Sequence, residues 1–294
     1  MHLGNVFTAV LSWLAAKSTG GRWVLRIEDL DPQRSRLEHA RQIEDDLRWL
    51  GLEWDEGGLG GAGTSGPYSQ SLRGDIYEAF LDKLRQTGYT YPCFCTRADI
   101  MATQAPHQSD GRVVYAGTCR PSSFPSGCVP QRPHATRIYV PDEEIVYSDV
   151  VFGPQSVNLA WECGDFILRR ADGAWAYQLA VVVDDALMGV RQVVRGADLL
   201  LSAAQQIYLY RMLGLEPPSF AHLPLVCNAE GRRLSKRDAA LGMAELRAAN
   251  SPEELLGRIA AMAGLIPEAR AISLGELLSE FSWSKIHRLP TLKA

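Results

Sequence analysis

At 294 residues the chain is long enough for one large domain or two modest ones, each with its own core. A net charge of −4 without a long basic run argues against a sequence-blind nucleic-acid coat protein, while leaving room for a local basic face. No apolar run reaches the ~18 residues of a membrane span, and the apolar opening Val6–Ala16 lacks the flanks of a signal peptide, so a cytoplasmic protein is expected.

Residues Asn5–Lys17 read as a helix, with Val6, Ala9, Val10 and Leu14 forming one apolar stripe, and Gly20-Gly21 ends it. Trp23–Ile27 reads as a short strand that delivers Arg26-Ile27-Glu28-Asp29 at its carboxyl end. Leu37–Leu50 returns to helical spacing, with Leu37, Ala40, Ile43, Leu47 and Leu50 on one face. This rhythm is that of a doubly wound α/β sheet, in which ligands sit at the carboxyl ends of strands. Glycine-rich Glu56–Ser65 is expected to be a loop and Leu72–Gln86 a helix.

From Tyr91 to about Cys163 prolines and cysteines cluster and helical periodicity fades, which marks an inserted module. The α/β pattern resumes at Phe166–Leu168 and again at Leu179–Asp184, where Val181-Val182-Val183 reads as a buried strand ending in Asp184-Asp185. A helix from about Leu199 to Leu213 and a strand near His222–Val226 follow. Ser251-Pro252-Glu253-Glu254 then opens a helical tail with a capping box. The expected division is a catalytic first half over 1–90, an insertion over 91–163, a catalytic second half over 164–240 and a tail over 241–294.

Six cysteines lie at 93, 95, 119, 128, 163 and 227. Their spacing is uneven and a chain of this size does not need disulfides, so reduced thiols with one metal cluster fit better. Cys93-Phe94-Cys95 is a natural half-site for zinc, and His107 is a candidate to complete it.

Two short motifs sit far apart: His2-Leu3-Gly4-Asn5 and Arg233-Leu234-Ser235-Lys236-Arg237. Together they resemble the HIGH and KMSKS elements of class I aminoacyl-tRNA synthetases. Between them stand RIEDLDPQRS, LGLEWDEG, YSQS, YPCFCTR with YAGTCR, GDFILRRADG, YQLAVVVDD and VVRGADLL. In number and order these resemble the glutamyl-queuosine tRNA(Asp) synthetases, the short paralogues of glutamyl-tRNA synthetase, from residue 2 to about residue 240.

The resemblance implies a Rossmann-like class I catalytic domain with a zinc-bearing insertion and a short helical tail. It implies ATP-dependent activation of L-glutamate without tRNA, and transfer of glutamate to queuosine in the anticodon of tRNA(Asp). His2, Gly4 and Asn5 at a helix N-terminus, with Ser235 and Lys236, are then the ATP set, and His2 and Lys236 the catalytic pair. ATP is expected with Mg2+. Glu28, Tyr177 and Arg195 are the implied glutamate contacts, arginine because its planar fork meets a carboxylate in two parallel hydrogen bonds. Cys93, Cys95, Tyr115 and Cys119 are the implied zinc ligands, which favours Tyr115 over His107. Cys128, Cys163 and Cys227 remain outside the set. Arg169-Arg170 and Arg195 are candidates for phosphate contact, and a monomer is expected.

The family departs from this chain in two places. It carries a strand and an FAPSPTG-type loop before the first motif, so the natural start is expected upstream of Met1. Only 58 residues follow Lys236 (294 − 236), too few for the helical anticodon-binding part of the parent enzyme. The rival readings are a truncated glutamyl-tRNA synthetase that charges tRNA(Glu), and an inactive paralogue that binds ATP or tRNA.

Overall fold

Helix α1 (Leu3–Ser18) buries Leu3, Val6, Phe7, Val10, Leu11, Leu14 and Ala15, a broader face than the expected stripe. It is followed by β1 (Val24–Leu25), α2 (Leu37–Trp49), β2 (Glu56–Gly57), a single 3-10 turn at Gln70–Leu72, and α3 (Gly74–Gln86). These belong to a computed structural model that describes residues 1–31, 35–102, 114–120, 132–228 and 242–293. Strands β1 and β2 pair in parallel, Val24 opposite Glu56 and Leu25 opposite Gly57, with α2 as the crossover. The stretch from Glu56 to Ser65 is therefore not all loop. Gly57 makes the pairing possible: its φ is +95°, and a Cβ there would overlap the Leu25 carbonyl oxygen.

The middle of the chain is mainly sheet. It runs through β3 (Thr90–Cys93), α4 (Arg97–Ala102), β4 (Ala135–Ile138), β5 (Glu144–Asp149), β6 (Gly153–Asn158), α5 (Leu159–Glu162) and β7 (Phe166–Arg169). Strands β3, β4 and β7 form an antiparallel sheet in that order. Its anchor is Asp165, fully buried, which accepts from the Tyr91 hydroxyl, from Arg120 Nε and Nη2 at 2.7 and 2.8 Å, and from the Val140 N–H at 2.9 Å.

Next come α6 (Tyr177–Leu187), β8 (Gln192–Gly196), α7 (Leu200–Leu213), β9 (Ser219–Leu223) and β10 (Leu225–Cys227). The tail holds α8 (Met243–Ala249), α9 (Pro252–Ala263), α10 (Leu274–Glu280) and β11 (Thr291–Lys293). Helix α6 corrects the sequence reading, which made Val181–Val183 a strand. A continuous apolar run does not distinguish a strand from a fully buried helix. Here Leu179 through Asp185 are all buried within eleven helical residues, and packing on every side overrides the β-branched preference.

Strands β8 and β9 pair in parallel with α7 as crossover, Arg195 opposite His222. The sheet order is β6-β5-β9-β8, with β5 parallel to β9 and antiparallel to β6. Among the described residues β1 pairs with β2 and β8 with β9, and no ladder joins the two sheets. Helix α1 packs against β8, β10, α9 and α10. Helix α9 starts as the sequence indicates: Ser251 and Glu254 form a capping box, with Pro252 at the first position. Among the described residues no helix is long and apolar enough to cross a membrane.

Gly57→Ala is expected to destabilise the protein by at least ~1–3 kcal/mol, the usual cost of a strained backbone position, because the added Cβ forces β2 away from β1. Urea unfolding measures it, and an unchanged midpoint would contradict this account of the β1–β2 contact.

Candidate active site

The carboxyl ends of β1 and β8 and the N-termini of α1 and α6 border one cleft of about 600 Å³. His2 is the N-cap of α1, with extended backbone (φ −123°, ψ 168°), and its N–H donates to Asn5 Oδ1 at 3.2 Å. That leaves the first turn of a sixteen-residue helix, with its positive dipole end, facing the cleft. Gly4 keeps the wall thin here, since a Cβ would come within 3.2 Å of the His2 ring. Glu28 follows Ile27, which bridges Ser69, and so leaves the end of β1. Tyr177 opens α6 and Arg195 lies inside β8. The structure thus brings His2, Gly4, Asn5, Glu28, Tyr177 and Arg195 to one cavity. Arg233, Ser235 and Lys236 lie outside the described residues.

Arg195 is buried and held on several sides. Its Nε donates to His222 Nε2 at 3.1 Å, Nη1 to Gln206 Oε1 at 2.9 Å and Nη2 to the Leu199 carbonyl at 3.3 Å. Its guanidinium lies 5.2 Å from the centre of the Phe220 ring. Arginine can only donate, so His222 Nε2 must accept, and the ring proton sits on Nδ1. That nitrogen is 2.7 Å from Asp149 Oδ2. Asp149 and His222 are both fully enclosed, and Asp149 also accepts from the backbone N–H groups of Val151, Phe152 and His222.

A second set of charges backs Glu28. Arg26 reaches Glu28 at 2.9 Å and Asp185 at 2.7 Å. Burial pushes the Asp185 carboxyl above its ordinary range, and Arg26 opposes that. Burial likewise raises the Tyr177 phenol, helped by the charge of Glu28. Both groups therefore sit where charge is costly unless paired.

The cysteine cluster is separate from the cleft. The sulfurs of Cys93, Cys95 and Cys119 lie within 4.8 Å of one another. Tyr115 Oη sits among them, 3.4 Å from Cys93 Sγ and 3.8 Å from Cys95 Sγ, and it accepts from the Cys119 N–H at 2.9 Å. Burial and the Cys119 contact push the Cys95 thiol up to about 11. Cys119 is held below its ordinary value despite burial, chiefly by the Phe94 N–H. Cys163 and Cys227 instead meet backbone carbonyls, and His107 and Cys128 lie outside the described residues.

A family model for the catalytic domain of class I tRNA synthetases (E and Q) matches residues 1–285. The chain belongs to that family. This synthetase is 47% identical over 297 residues to the Glutamyl-Q tRNA(Asp) synthetase of Symbiobacterium thermophilum, covering 99% of this chain and 91% of that relative. It is 47% identical over 273 residues to the Glutamyl-Q tRNA(Asp) synthetase of Nitratidesulfovibrio vulgaris, covering 91% of this chain and 84% of that one. A glutamate tRNA ligase from Elizabethkingia meningosepticum, solved in complex with its amino acid, superposes with a TM-score of 0.84 at 30% identity and covers all of this chain. The synthetase spans 64% of the length of that structure. The α/β architecture is thus the class I catalytic fold.

Several residues that shape the synthetase's cleft escaped the sequence reading. Asp184-Asp185 was visible as a pair of acids closing an apolar run, but the strand assignment put it on the wrong element. Asp149 and His222 are 73 residues apart, and only the register of β5, β9 and β8 brings them behind Arg195. Asp149→Ala would leave the His222 ring and three backbone donors buried and unpaired. A loss of ~3–5 kcal/mol is expected, measured by denaturant unfolding. A loss below ~1 kcal/mol would show that water reaches this site after all.

Proposed function

We propose that the chain activates L-glutamate with ATP and transfers the glutamyl group to queuosine in the anticodon of tRNA(Asp). The observation that carries this reading is one cleft lined by His2, Gly4 and Asn5 of the ATP set and by all three glutamate contacts, in a chain 47% identical to two Glutamyl-Q tRNA(Asp) synthetases over 91% or more of its length. ATP, entering with Mg2+, places its phosphates near the α1 N-terminus, where backbone N–H groups and the dipole favour anions. His2 and Asn5 line that end, and Gly4 admits the nucleoside close to the main chain. Lys236 is the proposed partner of the β- and γ-phosphates, and Ser235 adds a hydroxyl donor.

Glu28 takes the glutamate ammonium, and the Arg195 fork takes a carboxylate with the Tyr177 hydroxyl beside it. One carboxylate oxygen of glutamate attacks the α-phosphorus of ATP, and pyrophosphate leaves with the bonding electrons. A queuosine hydroxyl then attacks the acyl carbon and AMP leaves. Both steps move negative charge between oxygens already held by donors, so positioning and electrostatic stabilisation supply the acceleration.

The donor set of the cysteine cluster fits zinc. A tetrahedral site with Zn–S bonds of ~2.3 Å sets its sulfurs about 3.8 Å apart, and Cys95 and Cys119 are 3.5 Å apart. Cys93, Cys95, Cys119 and Tyr115 are the proposed ligands. With all positions filled from the protein the ion would tie β3 to the 114–120 segment, which is a structural task.

Glutamate-dependent ATP–pyrophosphate exchange is expected from this chain without tRNA, followed by glutamylation of tRNA(Asp) bearing queuosine and not of tRNA(Glu). Glutamylation of tRNA(Glu) alone would replace the reading with the parent activity, and binding without exchange would make the chain a non-catalytic relative. Cys95→Ser is expected to lower bound zinc and thermal stability, while exchange per folded molecule changes by less than ~tenfold, because the cluster lies outside the cleft. Unchanged metal content in that variant would sink the ligand set.

A further inference from the structure

Strand β4 carries a cation that the fold around it leaves unbalanced. Among the described residues Arg137, 5% exposed, makes one hydrogen bond, from Nη1 to the Asp165 carbonyl oxygen at 2.6 Å. Its Nε is buried without a partner, and no described carboxylate pairs with its guanidinium. The Asp165 carboxylate does not fill that part, because its two oxygens already meet Arg120, the Tyr91 hydroxyl and the Val140 N–H. A buried lysine could shed its proton here, whereas arginine keeps its charge. An unpaired charge of that kind is costly, so the fold needs an anion to meet it.

The neighbour that can supply one is the cysteine cluster. Antiparallel pairing of β3 with β4 sets Tyr91 opposite Arg137 and Cys93 opposite Ala135, so Arg137 and Cys93 share one face of the sheet. The guanidinium stacks 3.8 Å from the centre of the Tyr115 ring, within reach of a cation–π contact. Tyr115 Oη in turn stands among the sulfurs of the cluster. The cation is thus one phenol ring away from the point where those sulfurs converge. Zinc takes cysteine as thiolate, and three thiolates around one divalent ion sum to −1 before Tyr115 is counted. That charge is buried, adjacent and of the sign Arg137 lacks.

We propose that Arg137 is the counter-charge of the loaded cluster: its guanidinium balances the Cys93, Cys95 and Cys119 thiolates and strengthens ion binding beyond what the sulfurs alone supply. This role rests on the zinc ligand set proposed above. The ligands come from the end of β3, the residues just after it and the 114–120 segment, whereas Arg137 lies in the middle strand of the β3-β4-β7 sheet. The ion is thereby coupled to the sheet as well as to its ligands. A reversal of sign follows. The same arginine stabilises the loaded protein and destabilises the zinc-free one, which a residue that only packs would not do.

The test uses the full chain. Wild type and Cys95→Ser are assayed first for bound zinc by atomic absorption. Wild type without zinc after purification in zinc-containing buffer, or equal zinc in both proteins, overturns the ligand set and the role of Arg137 with it. Where wild type holds zinc that Cys95→Ser loses, competition with a chromogenic chelator gives the zinc dissociation constant of each Arg137 variant. Arg137→Met, similar in reach but uncharged, is expected to raise it at least ~tenfold, and Arg137→Lys, which keeps a charge beside the loaded cluster, to recover most of the affinity. Urea midpoints should fall for the loaded Met variant and hold or rise for the zinc-free one. An unchanged dissociation constant in Arg137→Met would overturn the counter-charge while leaving the ligand set standing. So would an equal loss in Arg137→Lys, which would tie the effect to shape. A zinc-free Met variant that unfolds before zinc-free wild type, or does not fold, would likewise overturn it and make Arg137 a packing residue.

Discussion

The buried carboxylate of Asp184 is the interaction on which the rest of the site depends. It lies in α6 without exposure to solvent and accepts from Arg73 Nε at 2.6 Å, from the Gln70 amide at 2.8 Å and from the Tyr77 hydroxyl at 2.8 Å. Arg26 approaches it at 3.7 Å from the end of β1. One anion therefore fixes α3, the turn before it, α6 and β1 with respect to each other. An ion this deep adds little net stability over a well-packed apolar cluster, because desolvation offsets the attraction. What it supplies is directional: three donors, from Gln70, Arg73 and Tyr77, converge on its two oxygens, and Arg26 adds a positive charge beside them.

From that hub the polar residues extend outward in two steps. Arg26 links Asp184 and Asp185 to Glu28, so two carboxylates that line the cleft, Asp185 and Glu28, share an arginine with the enclosed Asp184. On the other side Asp149 and His222 hold Arg195 in the same indirect way. The cleft thus presents one acidic and one basic group from different strands, each aligned by a buried partner of opposite character. These are the two groups to which the proposed function assigns the ammonium and a carboxylate of glutamate.

Much of this was legible in the chain. The 3.6-residue stripes of α1 and α2 show in sequence because each helix has an apolar face, and α7 has a clean stop at Gly214 with φ +65°. The tail's capping box is a local signal and needed nothing else. Helix α6 was misread because a helix buried on all sides has no polar face to give its period away. Glu28 and Arg195 were named through the family resemblance, Arg195 helped by the strand-like Val193-Val194 before it. Their supporting residues were not, since pairing across β5, β9 and β8 is not encoded in any short window. Tyr115 was equally hard to see: a phenol among thiols follows no spacing rule, and its position comes from the Tyr115–Gly164 bridge, where a side chain at residue 164 would overlap the Tyr115 backbone.

The ends of the described chain meet near the segment that carries Lys236. Strand β11 pairs in parallel with β10, Leu225 opposite Thr291 through Cys227 opposite Lys293, just before that segment begins. Just after it, Gly242 bridges His2 and the Met243 N–H donates to the Met1 carbonyl. Both shoulders of the segment are therefore clamped by residues remote in sequence, one from each end of the described chain. A substitution at His2 or in β11 would therefore loosen the shoulders of that segment from positions far away in sequence.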